Sequence, residues 1–164
     1  MKRHQKQTLP ILWAPWRKNY ILRAAKMKNC VLCKACGENN NRKNLIVRRN
    51  SHAFAILNLY PYNNGHIMVV PNRHVNQFDK LKDNELLGLM KLQNEIIVLL
   101  EERLKPHGFN VGVNLGRVGG AGIIGHIHIH ILPRWLGDTN FMPLIAKTKV
   151  ISESLASLYT RLTT

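Results

Sequence analysis

At 164 residues, 45% hydrophobic and 20% charged, the chain has the size and composition of one globular domain with a proper core, which excludes a disordered tail and a fibrous repeat. Its 24 Lys and Arg against 9 Asp and Glu give a net charge of +15. Such a field draws anions (nucleic acid, anionic lipid or a polyphosphate) and serves solubility equally well. No hydrophobic run is long enough to span a membrane, and no apolar stretch of signal-peptide length precedes Pro10. Three cysteines crowded between Cys30 and Cys36 do not make a secreted disulfide framework, so the expected compartment is the cytoplasm.

Residues 1–11 are polar and basic and are expected to form a flexible arm ahead of a single domain. Trp13, Trp16 and Tyr20 follow at helix-like spacing, with Pro15 marking a helix start and the aromatics packing on the core. The run GENNNRKN after the cysteines reads as a loop. Leu45–Arg49 and Ala53–Leu57 read as strands joined by a tight turn at Asn50, Ser51 and His52. NLYPYNNG turns the chain again, and His66–Val70 forms a third strand ended by Pro71. A long helix is predicted over Asp83–Lys105, capped by Asp83 and stopped by Pro106, with Leu86, Met90, Ile97, Leu100 and Leu104 as its core stripe. Strands at Val111–Leu115 and His126–Leu132 flank GRVGGAGIIG, and a short amphipathic helix over Ser152–Leu162 closes the chain. The pattern predicts an α+β domain with a mainly antiparallel sheet, undivided by repeat or linker.

The chemistry is concentrated in HIHIHI at 126–131. Side chains alternate along a strand, so His126, His128 and His130 share one face and Ile127, Ile129 and Ile131 the other. The isoleucines make a buried face. Three imidazoles in a row are no packing solution; each offers one donor and one acceptor near neutral pH, which suits nucleophilic, acid–base or metal-binding work. Five glycines between Gly116 and Gly125 lie directly ahead. A glycine-rich turn lets backbone N–H groups approach an anion and cradle phosphate oxygens.

The segment from Asn114 through the three histidines to Pro133, Arg134 and Trp135 resembles the histidine-triad (HIT) family. The resemblance extends to LNLYPYNNGHIMVVP at 57–71, PHGFNVGVNLG at 106–116, LWAPWRKNY near the start and PRWLGDTNF at 133–141, and so covers nearly the whole chain. It is most similar to the branch containing diadenosine tetraphosphate phosphorylases. This implies a five-stranded, mainly antiparallel sheet with one long helix and short flanking helices. By the same resemblance, His128 is the nucleophile that attacks the α-phosphorus of an adenine dinucleotide and holds AMP as a phosphoramidate, which orthophosphate or water then releases. His130 is implied to hydrogen-bond a phosphate or bridging oxygen and to help protonate the leaving group. Asn114 matches the family's phosphate-side asparagine and Asn58 the position that contacts ribose hydroxyls. Gly120, Gly122 and Ile123 fall in the phosphate loop. Many members carry Gln and then Ser or Thr where Gly122 and Ile123 stand, so any contact here must come from backbone N–H groups. That departure leaves phosphorolysis and hydrolysis undivided.

Cys30 and Cys33 have the two-residue spacing of a metal knuckle, and Cys33 and Cys36 share it, so spacing alone leaves the pair open. In zinc-carrying HIT relatives the first cysteine pair joins a histidine just after a proline-ended strand and the first histidine of the triad. The resemblance therefore implies Cys30, Cys33, His74 and His126 as a closed set for a structural zinc. His52, His66 and His107 are read as ordinary turn or strand histidines, although His66 belongs to the GH step that resembles the family. The resemblance also implies a homodimer. Two other functions compete: an adenosine phosphoramidase using the same nucleophile on AMP–amine substrates, and a basic zinc-containing nucleic-acid-binding module. The latter is disfavoured because simple binding needs neither the triad nor the glycine loop.

Overall fold

The computed structural model describes residues 30–38, 40–139 and 149–164. The expected arm over 1–11 and the group Trp13, Trp16 and Tyr20 lie outside these residues. In chain order the elements are α1 (Val31–Gly37), α2 (Asn41–Asn44), β1 (Ile46–Arg49), β2 (Ala53–Leu57), β3 (Ile67–Pro71), α3 (Asp83–Leu104), β4 (Gly108–Val113), β5 (Ile129–Arg134) and α4 (Leu155–Thr163). Every pairing is antiparallel, and the five-stranded sheet runs β1-β2-β3-β5-β4. The expected α+β architecture is therefore present.

The contiguous apolar runs AFAIL and IMVVP in β2 and β3 are buried throughout, because both faces of the sheet are covered. On one face Ala53, Ala55, Leu57, Ile67, Val69, Ile129 and Ile131 pack under α3 and α4. On the other, Phe54, Ile56, Met68 and Val70 pack under Leu32 and Ala35 of α1. Burying each large aliphatic side chain contributes about 1.5–3 kcal/mol.

Helix α3 keeps Leu100 and Leu104 of its expected stripe in the core but is rotated away from the rest of it. Leu89, Leu92, Ile96, Leu99, Leu100 and Leu104 face the core, whereas Leu86 and Met90 are exposed and Ile97 is half-buried. Apolar residues surround this helix, so more than one stripe satisfies the helical period. Gly88 settles the phase: a Cβ there would lie 2.8 Å from His52 Cβ, so the helix presses its glycine against the β1–β2 turn. The Asn50 amide donates to Gly88 O at 2.8 Å and clamps the contact. The helix also starts with Asp83 already inside it; Lys82 stands at the cap, its N–H bonded to Glu85 Oε2 at 2.8 Å.

The cysteine segment, for which the sequence pattern predicts no element, forms a helix. Three local expectations change. The asparagine-rich stretch, read as a loop, contains a helical turn because Asn40 Oδ1 accepts from Lys43 N at 2.9 Å. Leu45 takes a left-handed φ of 57°, which delays β1 to Ile46. β4 and β5 are displaced from their expected spans, to Gly108–Val113 and Ile129–Arg134. As a result His126, Ile127 and His128 lie ahead of β5, outside the strand ladder. Among the described residues no helix is long and apolar enough to cross a membrane.

Candidate active site

His126, His128 and His130 are all buried, on the face opposite Ile129 and Ile131. Burial alone would make such imidazoles costly unless their nitrogens are paired. The pairing orders them. His128 Nδ1 lies 2.8 Å from the backbone carbonyl of His126. A carbonyl can only accept, so Nδ1 carries the proton and Nε2 keeps its lone pair. Burial also pushes the His128 pKa below that of an ordinary imidazole, only partly offset by that backbone bond, which favours the neutral nucleophilic form.

His130 is set the opposite way, through His66. The backbone N–H of Tyr62 donates to His66 Nδ1 at 3.1 Å. His66 therefore carries its own proton on Nε2, which lies 2.8 Å from His130 Nδ1. With Nδ1 accepting, neutral His130 holds its proton on Nε2. Burial first, then the neighbouring His130 and His128, lower the His66 pKa to about 3, so His66 stays neutral and the relay keeps its direction. The His128 and His130 rings meet edge to face at 4.9 Å, one offering a bare nitrogen and the other an N–H.

The turn that supplies Tyr62 N–H is itself tied down. Buried Asn63 donates to Pro133 O at 3.0 Å and to Asp138 Oδ2 at 2.8 Å. Asp138 is gripped by Arg134, which holds its carboxyl well below the usual range.

His66 is more than the ordinary strand histidine expected from the sequence. Its signal was legible: antiparallel pairing of β3 with β5 puts Met68 opposite His130, so residues 66, 68 and 70 share the histidine face.

Other expected residues are distributed around this pair. Asn58 Oδ1 accepts from Tyr60 N at 2.9 Å, and its amide nitrogen lies 3.4 Å from both ring nitrogens of His66. Asn114 donates across the glycine loop to Gly120 O at 3.5 Å. Ile123 packs its side chain against the α1-side apolar cluster, leaving only its backbone for an anion. Gly122 is half-buried beside it. The loop is tight: a Cβ on Gly119 would lie 2.3 Å from Leu115 O, which only glycine avoids.

The ligating atoms of Cys30, Cys33, His74 and His126 all lie within 4.8 Å of one another. Cys33 Sγ is 3.1 Å from His74 Nδ1 and 3.4 Å from His126 Nδ1; Cys30 Sγ is 3.5 Å from His126 Nδ1. Tetrahedral zinc with ordinary Zn–S and Zn–N bonds separates S and N ligands by about 3.6 Å. His126 Nε2 donates to Pro71 O at 2.9 Å, which leaves Nδ1 as the ligating nitrogen. Burial and the adjacent Cys30 and Cys36 raise the Cys33 thiol to about 11, a cost that a divalent cation would reverse. The donor set fits zinc. Cys36 is not part of this group; its Sγ lies 3.6 Å from Asn72 Oδ1.

Comparison with known proteins agrees with this geometry. Residues 39–135 match the HIT domain. An AP-4-A phosphorylase of Mycobacterium tuberculosis is 38% identical over 158 residues, covering 92% of this chain and 81% of that protein. An asymmetrical bis(5'-nucleosyl)-tetraphosphatase of Schizosaccharomyces pombe is 31% identical over 106 residues, covering 64% of this chain and 58% of that protein. Both relatives are named as enzymes. A zinc-bound histidine triad family protein from Mycobacterium smegmatis shares the fold, with a TM-score of 0.66 at 20% identity over 82% of this chain and 91% of that one. The chain belongs to the histidine-triad family, its HIT domain spanning residues 39–135.

Proposed function

We propose that this protein cleaves diadenosine tetraphosphate, or a related adenine dinucleotide, at the α-phosphate through a nucleotidyl-histidine. The observation that carries the reading is the opposed protonation of neighbouring imidazoles, with bare Nε2 on His128 and N–H at Nε2 of His130. In this reading His128 Nε2 attacks the α-phosphorus in line, and the bond from that phosphorus to the bridging oxygen breaks. His130 donates toward the departing oxygen, so the leaving nucleotide separates as its charge develops. Orthophosphate then displaces AMP from His128, yielding ADP beside the ATP already released. Orthophosphate is preferred over water because the relative named as a phosphorylase matches over 92% of this chain.

Asn114, Gly120, Gly122 and Ile123 are assigned to the phosphates and Asn58 to the ribose. Cys30, Cys33, His74 and His126 would hold zinc, which supplies cross-linking of α1 to the sheet. The protein is further read as one domain that forms a homodimer in the cytoplasm; light scattering tests the oligomeric state.

The functional test is diadenosine tetraphosphate with and without orthophosphate, beside His128→Ala. ATP plus ADP formed only with phosphate, and lost in the variant, is expected. Turnover retained by His128→Ala would end this reading.

A further inference from the structure

Ordinarily a residue in a strand has its peptide groups held by the neighbouring strands. His126 lies ahead of that ladder. The final rungs on this side of the ladder are Val69 with Ile129 and Val113 with Ile129. The peptide whose carbonyl fixes the His128 tautomer thus stands outside the sheet's hydrogen bonds.

Other groups hold it. His126 Nε2 donates to Pro71 O at 2.9 Å, at the end of β3. The backbone N–H of Ile127 donates to Val75 O at 2.7 Å. His126 Nδ1 faces the thiols of Cys30 and Cys33. Val75 directly follows His74, whose Nδ1 is 3.1 Å from Cys33 Sγ. Two of the three restraints therefore lead into the same cluster of cysteine and histidine donors.

We infer that His126 is a positioning residue for the nucleophile: its ring answers to the metal cluster while its carbonyl orients His128, so metal occupancy governs the state of the His128 imidazole. This rests on reading His128 as the nucleophile. With zinc bound, His126 Nδ1 is fixed, Nε2–H stays on Pro71 O, and the carbonyl is held 2.8 Å from His128 Nδ1. Without it, two thiols and two imidazoles crowd together with no charge to gather them. The His126 ring and the His74–Val75 segment then loosen together. The carbonyl shifts, and His128 loses the bond that keeps its proton on Nδ1. Misplacing a reacting group by about 1 Å costs on the order of 100-fold in rate. Asn58 and Asn114 lie on other segments, but Gly122 and Ile123 directly precede His126, so the loss of kcat is accompanied by a change in phosphate binding.

The direct test is long-range proton–nitrogen NMR of the full-length protein, ¹⁵N-labelled at histidine, loaded with Zn(II) and then stripped by chelation. The expected result for the loaded form is a protonated Nδ1 and bare Nε2 on His128. The stripped form is expected to show mixed tautomers, restored by adding Zn(II) alone, while core methyl signals persist. Unchanged His128 nitrogens in a folded, stripped protein would overturn the inference.

Should stripping unfold the chain, His126→Cys supplies the second arm. It keeps four metal ligands and the backbone carbonyl, but it removes the bond to Pro71 O and shortens the arm to the metal. Full zinc content with a kcat lowered about 10- to 100-fold and altered His128 nitrogen shifts is expected. Wild-type kcat and His128 shifts in that variant would overturn the inference. The tautomer readout needs no turnover. If His128→Ala kept activity, the assignment of the nucleophile would fail, whereas the NMR result would still report whether the cluster controls His128.

Discussion

The two faces of the sheet are equally buried but are held by different physics. Under α3 and α4 the contacts are aliphatic and non-directional: Leu89, Leu92, Ile96 and Leu100 against Val69, Ile129 and Ile131. The histidine face has apolar packing too, at Phe54, Ile56, Met68 and Val70, but around the imidazoles each bond has a donor and an acceptor that cannot be exchanged without reversing the next one. Tyr62 N–H, His66, His130 and, separately, His128 with the His126 carbonyl form such directed chains. The first face needs volume and tolerates rearrangement. The second needs particular protonation at particular nitrogens, so a substitution that barely alters volume there can change chemistry.

The sharpest way to separate the faces is to remove one side chain from each. His128→Ala should lower kcat by at least about 10³-fold, as removal of a nucleophile does elsewhere, with thermal stability nearly unchanged. Leu92→Ala should do the reverse: about 2–5 kcal/mol of stability lost, measured by urea denaturation, with kcat per folded molecule retained. If Leu92→Ala slowed the chemistry as much as it destabilised the fold, the two faces would not be separable.

His66→Asn probes the relay. It removes the Nε2–H that fixes His130 and should lower kcat by about 100-fold, within the range of general-acid contributions. Its effect on KM should be smaller, and steady-state kinetics across a pH series would show it.

A weaker effect concerns stability against pH. The folded His66 pKa is about 3, well below that of an ordinary imidazole. Above about pH 6.5 His66 is neutral in both folded and unfolded states. Between about 6.5 and 3 the unfolded chain binds a proton that the folded one refuses, so stability falls as pH drops, by at most about 1.4 kcal/mol per pH unit from this group. Urea melts from pH 7 to pH 5 should show a shallower decline for His66→Asn than for the wild type. Parallel declines would contradict the burial argument.

The fold was legible where one period dominated. Ala53–Leu57 could be read as a strand from a short apolar run bounded by turn residues, and the long helix from its helical spacing, whereas HIHIHI forms strand only from Ile129 onward. The phase of α3 was not legible, since LLGLMKL is apolar on more than one side and only the close approach of Gly88 to His52 chooses. The helix over the cysteines and the turn capped by Asn40 were hidden by loop-like composition. In the site, the triad and the Cys30, Cys33, His74, His126 set followed from spacing and family resemblance. What fixes the protons did not, because the decisive groups are the His126 carbonyl and the Tyr62 N–H. Backbone groups look alike at every residue; only folding reveals which one meets which ring.

In the proposed reaction His128 carries the nucleotide. The most direct measurement is mass spectrometry of protein quenched at mildly alkaline pH after mixing with diadenosine tetraphosphate in the absence of orthophosphate. AMP is expected on the peptide containing His128, localised to that ring and discharged as ADP when orthophosphate is added before quenching. AMP on another residue, or steady product formation with His128 unmodified at every quench time, would contradict it.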